Sequence, residues 1–221
     1  LLHAKTVQAD KDTNTSTDIN ESDILVDNIV SHWTGDLDGM LKKRLIRVLV
    51  IPTTIMYKVD KGKRSGIFYE LTMEFEKSIN ERYPPKLKHL KRHVAFVPVS
   101  RDDLIPALVE GRGDIAVADM TITSKRKQVI DFSDPFYHNI NEIIITGPSS
   151  PELNSIEDLS GKEVFVRPSS SYWEHLEKLN IRFSEAGLNP IKIKPVPEQL
   201  ESEDLLEMVN AGLIGIIVVD D

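Results

Sequence analysis

Hydroxyl and guanidinium groups lie close together in the middle of the chain, just after a short apolar run. The run covers residues 115–118, and the loop behind it carries the hydroxyls of Thr121 and Thr123. Arg126 follows in what the pattern predicts to be a short helical turn. A guanidinium donates two parallel hydrogen bonds to a carboxylate, and a helix N-terminus adds unpaired N–H groups and a partial positive charge. These residues therefore predict a carboxylate-binding site.

A second segment of similar composition occurs later in the chain. Residues 167–171 are Arg-Pro-Ser-Ser-Ser and stand between a β-rich run and a helical pattern. An arginine and several hydroxyls at a helix N-terminus could cradle an anion by the same physics. The groups concerned are Arg167, Ser169, Ser170 and Ser171. An ordinary serine N-cap is the alternative, and the residues taken alone favour it.

A third candidate is an aromatic side chain that follows the first predicted strand. Tyr57 comes shortly after the β-rich run 47–51, which Pro52 ends. Open α/β sheets bind ligands at the carboxyl ends of their strands, so Tyr57 is a candidate for lining a cleft. A surface loop with one exposed aromatic is an equally good interpretation.

Helix and strand patterns alternate on both sides of one linker, and these elements must position the candidate groups. Before the linker, the predicted strands cover 47–51, 94–99, 115–118 and 129–132, and the predicted helices cover 24–33, 36–44, 67–80 and 101–110. The linker is 147–151, Gly-Pro-Ser-Ser-Pro. After it, the predicted strands cover 163–166, 191–196 and 215–219, and the predicted helices cover 171–186 and 203–211. This alternation predicts an α/β fold of two lobes, each a small, mostly parallel sheet flanked by helices.

The central motif resembles the signature of a known family. Thr-Ile-Thr-x-x-Arg at 121–126, Asp-Phe-Ser at 131–133 and the aromatic pair at 136–137 occur in order. Together they resemble the amino-acid-type periplasmic solute-binding proteins, whose bilobed type II fold is shared with the ligand-binding cores of ionotropic glutamate receptors. The segments 33–36, 98–102, 161–167 and 218–221 are more narrowly similar to the binding domain of membrane-bound lytic transglycosylase F-like proteins.

The resemblance implies a division of the chain and a hinge. We expect a flexible leader at 1–21, lobe 1 at 22–122, a hinge and crossover at 123–146, and lobe 2 at 147–221. In such proteins the chain returns from the second lobe to complete the first, so we expect lobe 1 to lack this return segment. Ligand binding then implies hinge bending that closes the cleft.

The resemblance also implies how a ligand would be held. The carboxylate of a zwitterion would lie between Arg126, the hydroxyl of Thr121 and the turn at Ser169 to Ser171, which we call the serine turn. Its ammonium would meet Asp220, or the neighbouring Asp221, and the carbonyl of Asp119. Burying such charges is costly unless all of them are paired, so closure should depend on how well a ligand fits.

Composition limits the classes of function. The chain has 221 residues, 40% of them hydrophobic, which is enough to bury a core. Its formal charge of -8 argues against a nucleic-acid partner, and the lack of cysteine excludes disulfides and thiolate metal sites. His89 and His93 have a spacing that suits zinc on a helix, but prolines interrupt the segment and a third ligand is missing. We therefore expect no metal and no cofactor.

Three hypotheses of function remain open. The first is a periplasmic binding domain, monomeric and with its signal peptide removed, that takes an amino acid or a muropeptide and serves a membrane transporter. The second is a regulatory or scaffold module of a lytic transglycosylase F-like enzyme with a fused lytic domain, whose catalytic Glu-Ser pair this chain lacks. Glu201-Ser202 matches those letters only by chance, in a surface loop. The third is a lyase on the same fold, for which Asp119, Glu142 and His138 are the local acid-base candidates.

Overall fold

Two β-sheets, one in each half of the chain, organise the fold. The computed structural model describes residues 30–85, 87 and 90–221. The first half contains α1 (Leu37–Lys43), β1 (Leu45–Val50), β2 (Lys58–Asp60), β3 (Lys63–Ser65), α2 (Ile67–Arg82), β4 (His93–Pro98), α3 (Leu104–Val109) and β5 (Ile115–Val117). The second half contains β6 (Glu142–Thr146), β7 (Glu163–Val166), α4 (Ser171–Glu185), β8 (Lys192–Pro195), α5 (Ser202–Asn210) and β9 (Ile216–Asp220). We call the body around the first sheet lobe 1 and the body around the second lobe 2.

Lobe 1 is built on strand β1, which lies in the middle of a parallel sheet. The strand order is β4–β1–β5, and every residue of β1 is buried. Such a continuous buried run of β-branched and aliphatic residues is typical of a central parallel strand. One face packs Ile46, Val48 and Val50 against Ile79 of α2, and the other packs Leu49 against Leu104 of α3.

Arg47 is the one charged residue within β1. Its guanidinium is bound by the Asp114 carboxylate, with 2.6 Å between Nη2 and Oδ1, and it also donates to the carbonyls of Ser31 and Trp33. The Asp114 carboxylate accepts the backbone N–H of Arg47 as well, at 2.7 Å. A buried charge is tolerated when it is paired and hydrogen-bonded in this way.

Lobe 2 is built on a four-stranded sheet in the order β6–β9–β7–β8. Strand β6 runs antiparallel to β9, and the other neighbours are parallel. Helix α4 covers one face through Leu176 and Phe183, and α5 covers the other through Leu205 and Val209. The parallel strands end on the side that faces lobe 1, which brings the residues after β7 and at the end of β9 to the boundary between the lobes.

Most of the predicted elements are confirmed within a few residues, but the strand predicted at 129–132 is wrong. Arg126–Gln128 form a 3-10 turn, and the backbone N–H of Ile130 still bonds back to the carbonyl of Arg126. Val129 is 58% exposed and pairs with no strand in the described part of the chain. The chain then continues without regular structure to β6, so the apolar run has no sheet to join.

Some predictions fall partly or wholly on residues outside those described. The leader at 1–21, most of the helical pattern at 24–33 and His89 are among them. His93 lies within the described residues, and its Nδ1 is 3.6 Å from the Glu76 carboxylate. None of the helices that the structure describes has both the length and the apolar character needed to span a bilayer. The expected bounds of leader, lobes and crossover stay predictions.

Candidate functional site

Arg126 lies at the boundary between the lobes and is almost completely buried. Its Nη1 donates to the carbonyl of Thr121 in its own loop at 2.9 Å, and its Nη2 donates to the carbonyl of Ser169 in lobe 2, also at 2.9 Å. Its nearest carboxylate, that of Glu174, is 3.9 Å from Nε. Burial lowers the pKa of the Arg126 guanidinium, and Glu174 opposes that shift. The guanidinium is therefore bonded mainly to neutral carbonyl groups and keeps much of its capacity to attract an anion.

Two hydroxyls from opposite lobes meet at the same boundary. The hydroxyl of Ser171 donates to the hydroxyl of Thr121 across 3.2 Å. Ser171 is the first residue of α4, so its position adds the partial positive charge of a 15-residue helix. Thr121 is also the residue whose carbonyl binds Arg126. Arg126, Thr121 and Ser171 are thus brought together, as the family resemblance implies.

Ser170 has a different role in the described structure. Its hydroxyl accepts the backbone N–H of Trp173 at 3.2 Å and donates to the carbonyl of Arg167 at 2.7 Å. This is the serine N-cap that the residues alone favoured, and it satisfies one of the free N–H groups at the start of α4. Ser170 therefore shapes the turn that presents its neighbours.

Ser169 and Arg167 are bound by carboxylates of the chain itself. The backbone N–H and the hydroxyl of Ser169 both donate to the carboxylate of Glu198. Arg167 donates to the carbonyl of Leu200 and to Glu201, with 3.2 Å between Nη1 and Oε2. Burial lowers the pKa of Arg167, and Arg101 adds to that shift. Both groups thus have internal anions as partners, so a ligand would reach them only by displacing Glu198 or Glu201.

An acidic surface lies at the end of β9. Tyr172 and Asp220 share a side-chain hydrogen bond, and burial raises the pKa of the Asp220 carboxyl, with Glu142, Asp119 and Asp221 adding to the shift. Burial is also the main reason that the pKa of the Tyr172 hydroxyl is raised. Among the described residues, Asp220 makes no salt bridge. The Asp220 carboxylate therefore has a hydrogen-bond donor in Tyr172 but no cationic partner among the described residues.

Asp221 differs from Asp220 in having its carboxylate already bound. It accepts hydrogen bonds from the backbone N–H of Asn141 at 3.1 Å and from its side-chain amide at 2.8 Å. These bonds hold the pKa of the Asp221 carboxyl below its usual range. Of the two neighbours, Asp220 is the better candidate for binding a cation. The carbonyl of Asp119 accepts a hydrogen bond from Arg101 at 3.0 Å and retains a second lone pair.

Tyr57 is not at the lobe boundary, and this placement corrects its candidacy as a cleft residue. Its side chain is 2% exposed within the core of lobe 1 and stacks on Phe96 with the ring centroids 5.1 Å apart. The backbone bridge between Thr53 and Tyr57 turns the ring inward, beneath the hairpin of β2 and β3. Pattern alone could not distinguish a buried aromatic from a cleft residue just after a strand.

Sequence reasoning missed an ion pair that joins the lobes. Nη2 of Arg101, just after β4, is 2.6 Å from Oε2 of Glu201, which precedes α5. Glu201 does precede a helix, as predicted, but its side chain is only 15% exposed and is not on an open surface. One available signal was the similarity of segment 98–102 to lytic transglycosylase F-like proteins, and another was the start of a helix after Glu201. Neither indicates that residues 100 positions apart in sequence meet.

The third hypothesis drew on Glu142, His138 and Asp119 as acid-base candidates. Oε1 of Glu142 lies 2.8 Å from Nδ1 of His175, so the two form a pair within lobe 2. His138 is exposed on the crossover. The side chain of Asp119 is exposed next to the loop that carries Thr121.

Two α/β lobes that meet through an arginine, hydroxyls and carboxylates define a bilobed solute-binding fold. The family model for bacterial extracellular solute-binding proteins, family 3, matches residues 46–218. The chain belongs to this family, and both the suspected family and the predicted bilobed fold are confirmed.

The similar proteins are of two kinds, lytic transglycosylases and amino-acid-binding proteins. The membrane-bound lytic murein transglycosylase F of Pseudomonas fluorescens is 26% identical over 186 residues, which are 83% of this chain and 35% of that protein. The L-cystine-binding protein TcyJ of Escherichia coli is 25% identical over 55% of this chain and 42% of its own length. An ancestral arginine-binding protein bound to arginine superposes with a TM-score of 0.57 at 29% identity, covering 80% of this chain and 70% of that one. This chain therefore spans only about a third of the length of the transglycosylase.

Proposed function

We propose that this chain is an extracytoplasmic binding domain that closes on a small amino-acid-like or peptidoglycan-derived ligand and performs no catalysis of its own. One observation carries the proposal. Arg126 and the hydroxyls of Thr121 and Ser171 come together at the boundary of the two lobes, and the carboxylate of Asp220, which has no cationic partner among the described residues, lies in the same cleft region. A cationic end and an anionic end in one cleft match a zwitterion.

The carboxylate of the ligand would take the place that carbonyl groups now hold on Arg126. A guanidinium gains more from a carboxylate than from a neutral carbonyl, since hydrogen bonds between charged groups are roughly twice as strong. The hydroxyls of Thr121 and Ser171, now bonded to each other, can both turn to donate to the same carboxylate. The exchange replaces weak contacts between the lobes with strong ones, which favours the closed form when ligand is present.

The ammonium of the ligand would neutralise Asp220. In the free protein this carboxylate is partly removed from water and has three acidic neighbours. A cation placed there relieves the repulsion and forms a charge-assisted hydrogen bond. The carbonyl of Asp119 offers a second acceptor, although it already accepts from Arg101. The ammonium and carboxylate are common to all amino acids, and the side chain of the ligand would contact the surrounding loops.

The lytic transglycosylase relatives favour a second candidate function. In it, the chain would be the regulatory or scaffold module of a cell-wall enzyme whose catalytic domain lies outside the matched region, which is 35% of the Pseudomonas fluorescens protein. The two candidates share the cleft and differ in the partner: a membrane transporter in the first, and a fused lytic domain in the second. In both, the protein is periplasmic and monomeric.

A thermal-shift screen of free amino acids and muropeptides tests the proposal. A compound present at a hundred times its dissociation constant adds about 2.7 kcal/mol of stability, a shift that the screen detects easily. We expect at least one compound to stabilise the wild type and to lose its effect in Arg126→Ala. Arg112→Ala is the matched control, because Arg112 binds Asp103 and Glu110 within lobe 1 and forms no ion pair with lobe 2 in the part of the chain that the structure describes.

The opposite result would decide for the scaffold. If no compound raises the midpoint of a wild type that melts cooperatively, the binding function fails, and the scaffold function of the second candidate replaces it. A compound that stabilises the wild type and Arg126→Ala equally would place its site away from Arg126.

A further inference from the structure

The ion pair of Arg101 and Glu201 is the strongest contact between charged side chains of the two lobes in the described structure. Two bonds form it: Nη2 to Oε2 at 2.6 Å and Nε to Oε1 at 3.3 Å. Both side chains are about 15% exposed. A two-pronged, mostly buried pair is more favourable than a single-contact surface pair, because solvent screens it less and its geometry is fixed.

Both partners are held in position before they meet. Glu201 is the N-cap of α5. Its side chain accepts the backbone N–H of Asp204, and the Asp204 carboxylate accepts the backbone N–H of Glu201. The Glu201 carboxylate is also within 3.2 Å of Nη1 of Arg167. On the other side, Arg101 follows the end of β4 and fixes its guanidinium by donating to the carbonyl of Asp119. Neither side chain therefore needs to lose much freedom when the pair forms.

The pair is connected to both halves of the candidate ligand site. Through the carbonyl of Asp119, Arg101 bonds to the loop that carries Thr121. On the other side, Glu201 accepts a hydrogen bond from Arg167, which lies two residues before Ser169. Contact between Arg101 and Glu201 thus fixes the separation of the two loops that would enclose a carboxylate.

We propose that Arg101 and Glu201 form an ionic latch that holds the lobes closed without ligand and positions the two halves of the ligand site. The biological purpose of the latch, which is to prepare the site for a ligand, rests on the proposed function. Closure of the lobes does not, because it can be measured without ligand. Arg101 and Glu201 are positioning residues in this scheme. The latch lowers the cost of closure that a ligand would otherwise have to meet, because the closed form is already populated.

The two partners should respond differently to substitution. Arg101→Ala leaves Glu201 paired with Arg167 inside lobe 2, so lobe 2 keeps its local charge balance. The contact between the lobes is lost, together with the bond from Arg101 to the carbonyl of Asp119. Glu201→Gln leaves Arg101 and Arg167 facing each other across the boundary without a carboxylate between them. Since like charges repel, we expect Glu201→Gln to open the lobes at least as far as Arg101→Ala does.

Small-angle scattering of the ligand-free chain measures closure directly, because opening the lobes raises the radius of gyration. We expect Arg101→Ala to raise it, through a shift of about tenfold in the ratio of closed to open molecules. Arg101→Lys keeps the charge but loses the two-pronged geometry, so it should restore part of the closed population. Arg112→Ala again serves as the control, because it removes an arginine with two carboxylate partners inside lobe 1.

Salt gives a readout that a purely structural role would not share. At 1 M NaCl the screening length falls to about 3 Å, but a mostly buried pair is screened less than an exposed one. The wild type should therefore move part of the way toward the radius of gyration of Arg101→Ala, which itself should stay constant. A pair of fluorescent labels on Lys77→Cys and Glu185→Cys can follow the same titration, since the chain has no cysteine of its own.

The latch is refuted if Arg101→Ala and Glu201→Gln match the wild type and Arg112→Ala in radius of gyration and in response to salt. Should Arg101→Ala fail to fold, Glu201→Gln decides alone, because it is isosteric and keeps a capping oxygen on α5. If the ligand screen fails but Arg101→Ala and Glu201→Gln raise the radius of gyration as expected, the binding function is rejected and the latch stands. If a ligand binds but neither variant changes the radius of gyration, the binding function stands and the latch is rejected.

Discussion

Two arginines, one in the core of lobe 1 and one at the boundary between the lobes, are almost equally buried and yet differ in their partners. Arg47 is 2% exposed and Arg126 is 8% exposed. Arg47 binds a carboxylate and two carbonyls that all belong to lobe 1. Arg126 binds one carbonyl from each lobe, and its nearest carboxylate is 3.9 Å away. The first charge is closely paired within the fold, whereas the second has only the Glu174 carboxylate at 3.9 Å and is available to an anion that enters between the lobes.

The comparison separates stability from binding. A buried arginine with a carboxylate partner in its own lobe ties that lobe together, because removing either partner leaves a buried charge alone. A buried arginine bonded to carbonyls across a boundary costs desolvation that the protein recovers only in part. Such a cost persists in a folded protein when the site has a use, and here the use we propose is to attract a carboxylate.

The largest effect should come from breaking the compensated pair. Asp114→Asn removes the carboxylate from Arg47 and leaves its guanidinium buried, so we expect a loss of about 3–5 kcal/mol in the free energy of unfolding. Urea denaturation monitored by circular dichroism measures it. Asp103→Asn, which removes charge from an exposed pair with Arg112, should change stability by less than about 1 kcal/mol.

An unchanged urea midpoint in Asp114→Asn would mean that the fold tolerates a buried Arg47 without its carboxylate partner. In that case the contrast between Arg47 and Arg126 could not be one of a closely paired charge and an available one.

A smaller effect should appear in binding when Arg126 is altered. Arg126→Lys keeps the positive charge but cannot donate two parallel hydrogen bonds, so we expect a loss of about 10- to 100-fold in affinity for any compound that the thermal-shift screen identifies. Its free energy of unfolding should stay within about 1 kcal/mol of the wild type. Isothermal titration calorimetry gives the first quantity and urea denaturation gives the second.

Arg47→Lys is the matched variant in the core of lobe 1. It should lose stability and leave affinity unchanged in the molecules that remain folded. A large loss of stability in Arg126→Lys, with no change in affinity, would instead make Arg126 a second structural arginine.

The sequence was sufficient to predict the two sheets, and its resemblance to the solute-binding family implied the group formed by Arg126, Thr121 and Ser171. Taken alone, residues 167–171 favoured an ordinary serine N-cap. Tyr57 was misplaced because an aromatic just after a strand can point either into the core or toward a cleft. The strand predicted at 129–132 failed for a related reason: an apolar run indicates a strand only if a neighbouring strand is available.

The contacts of residues 198–201 could not be predicted from pattern. Glu198, Leu200 and Glu201 bind Ser169, Arg167 and Arg101, and these contacts depend on how two loops and two lobes come together. A glutamate before a helix indicates a cap, and it does have that role at position 201. Nothing in the local sequence indicates that the same carboxylate also reaches the other lobe.

The smallest effect concerns Asp220, which is the anionic counterpart of Arg126. Partial burial and acidic neighbours raise the pKa of its carboxyl above the ordinary value of 3.8, so the folded state binds this proton more tightly than the unfolded state does. Stability from this group is therefore present at low pH and is lost as the pH rises through that window. Asp220→Asn should be more stable than the wild type at pH 7, by less than about 1 kcal/mol because the group is partly exposed, and the difference should vanish below about pH 3.8. Urea midpoints of both proteins across pH 3–7 measure the difference, since all other carboxylates are common to the two. Equal midpoints at every pH would show that the charge of Asp220 is compensated in the free protein, and an ammonium would then gain nothing by binding there.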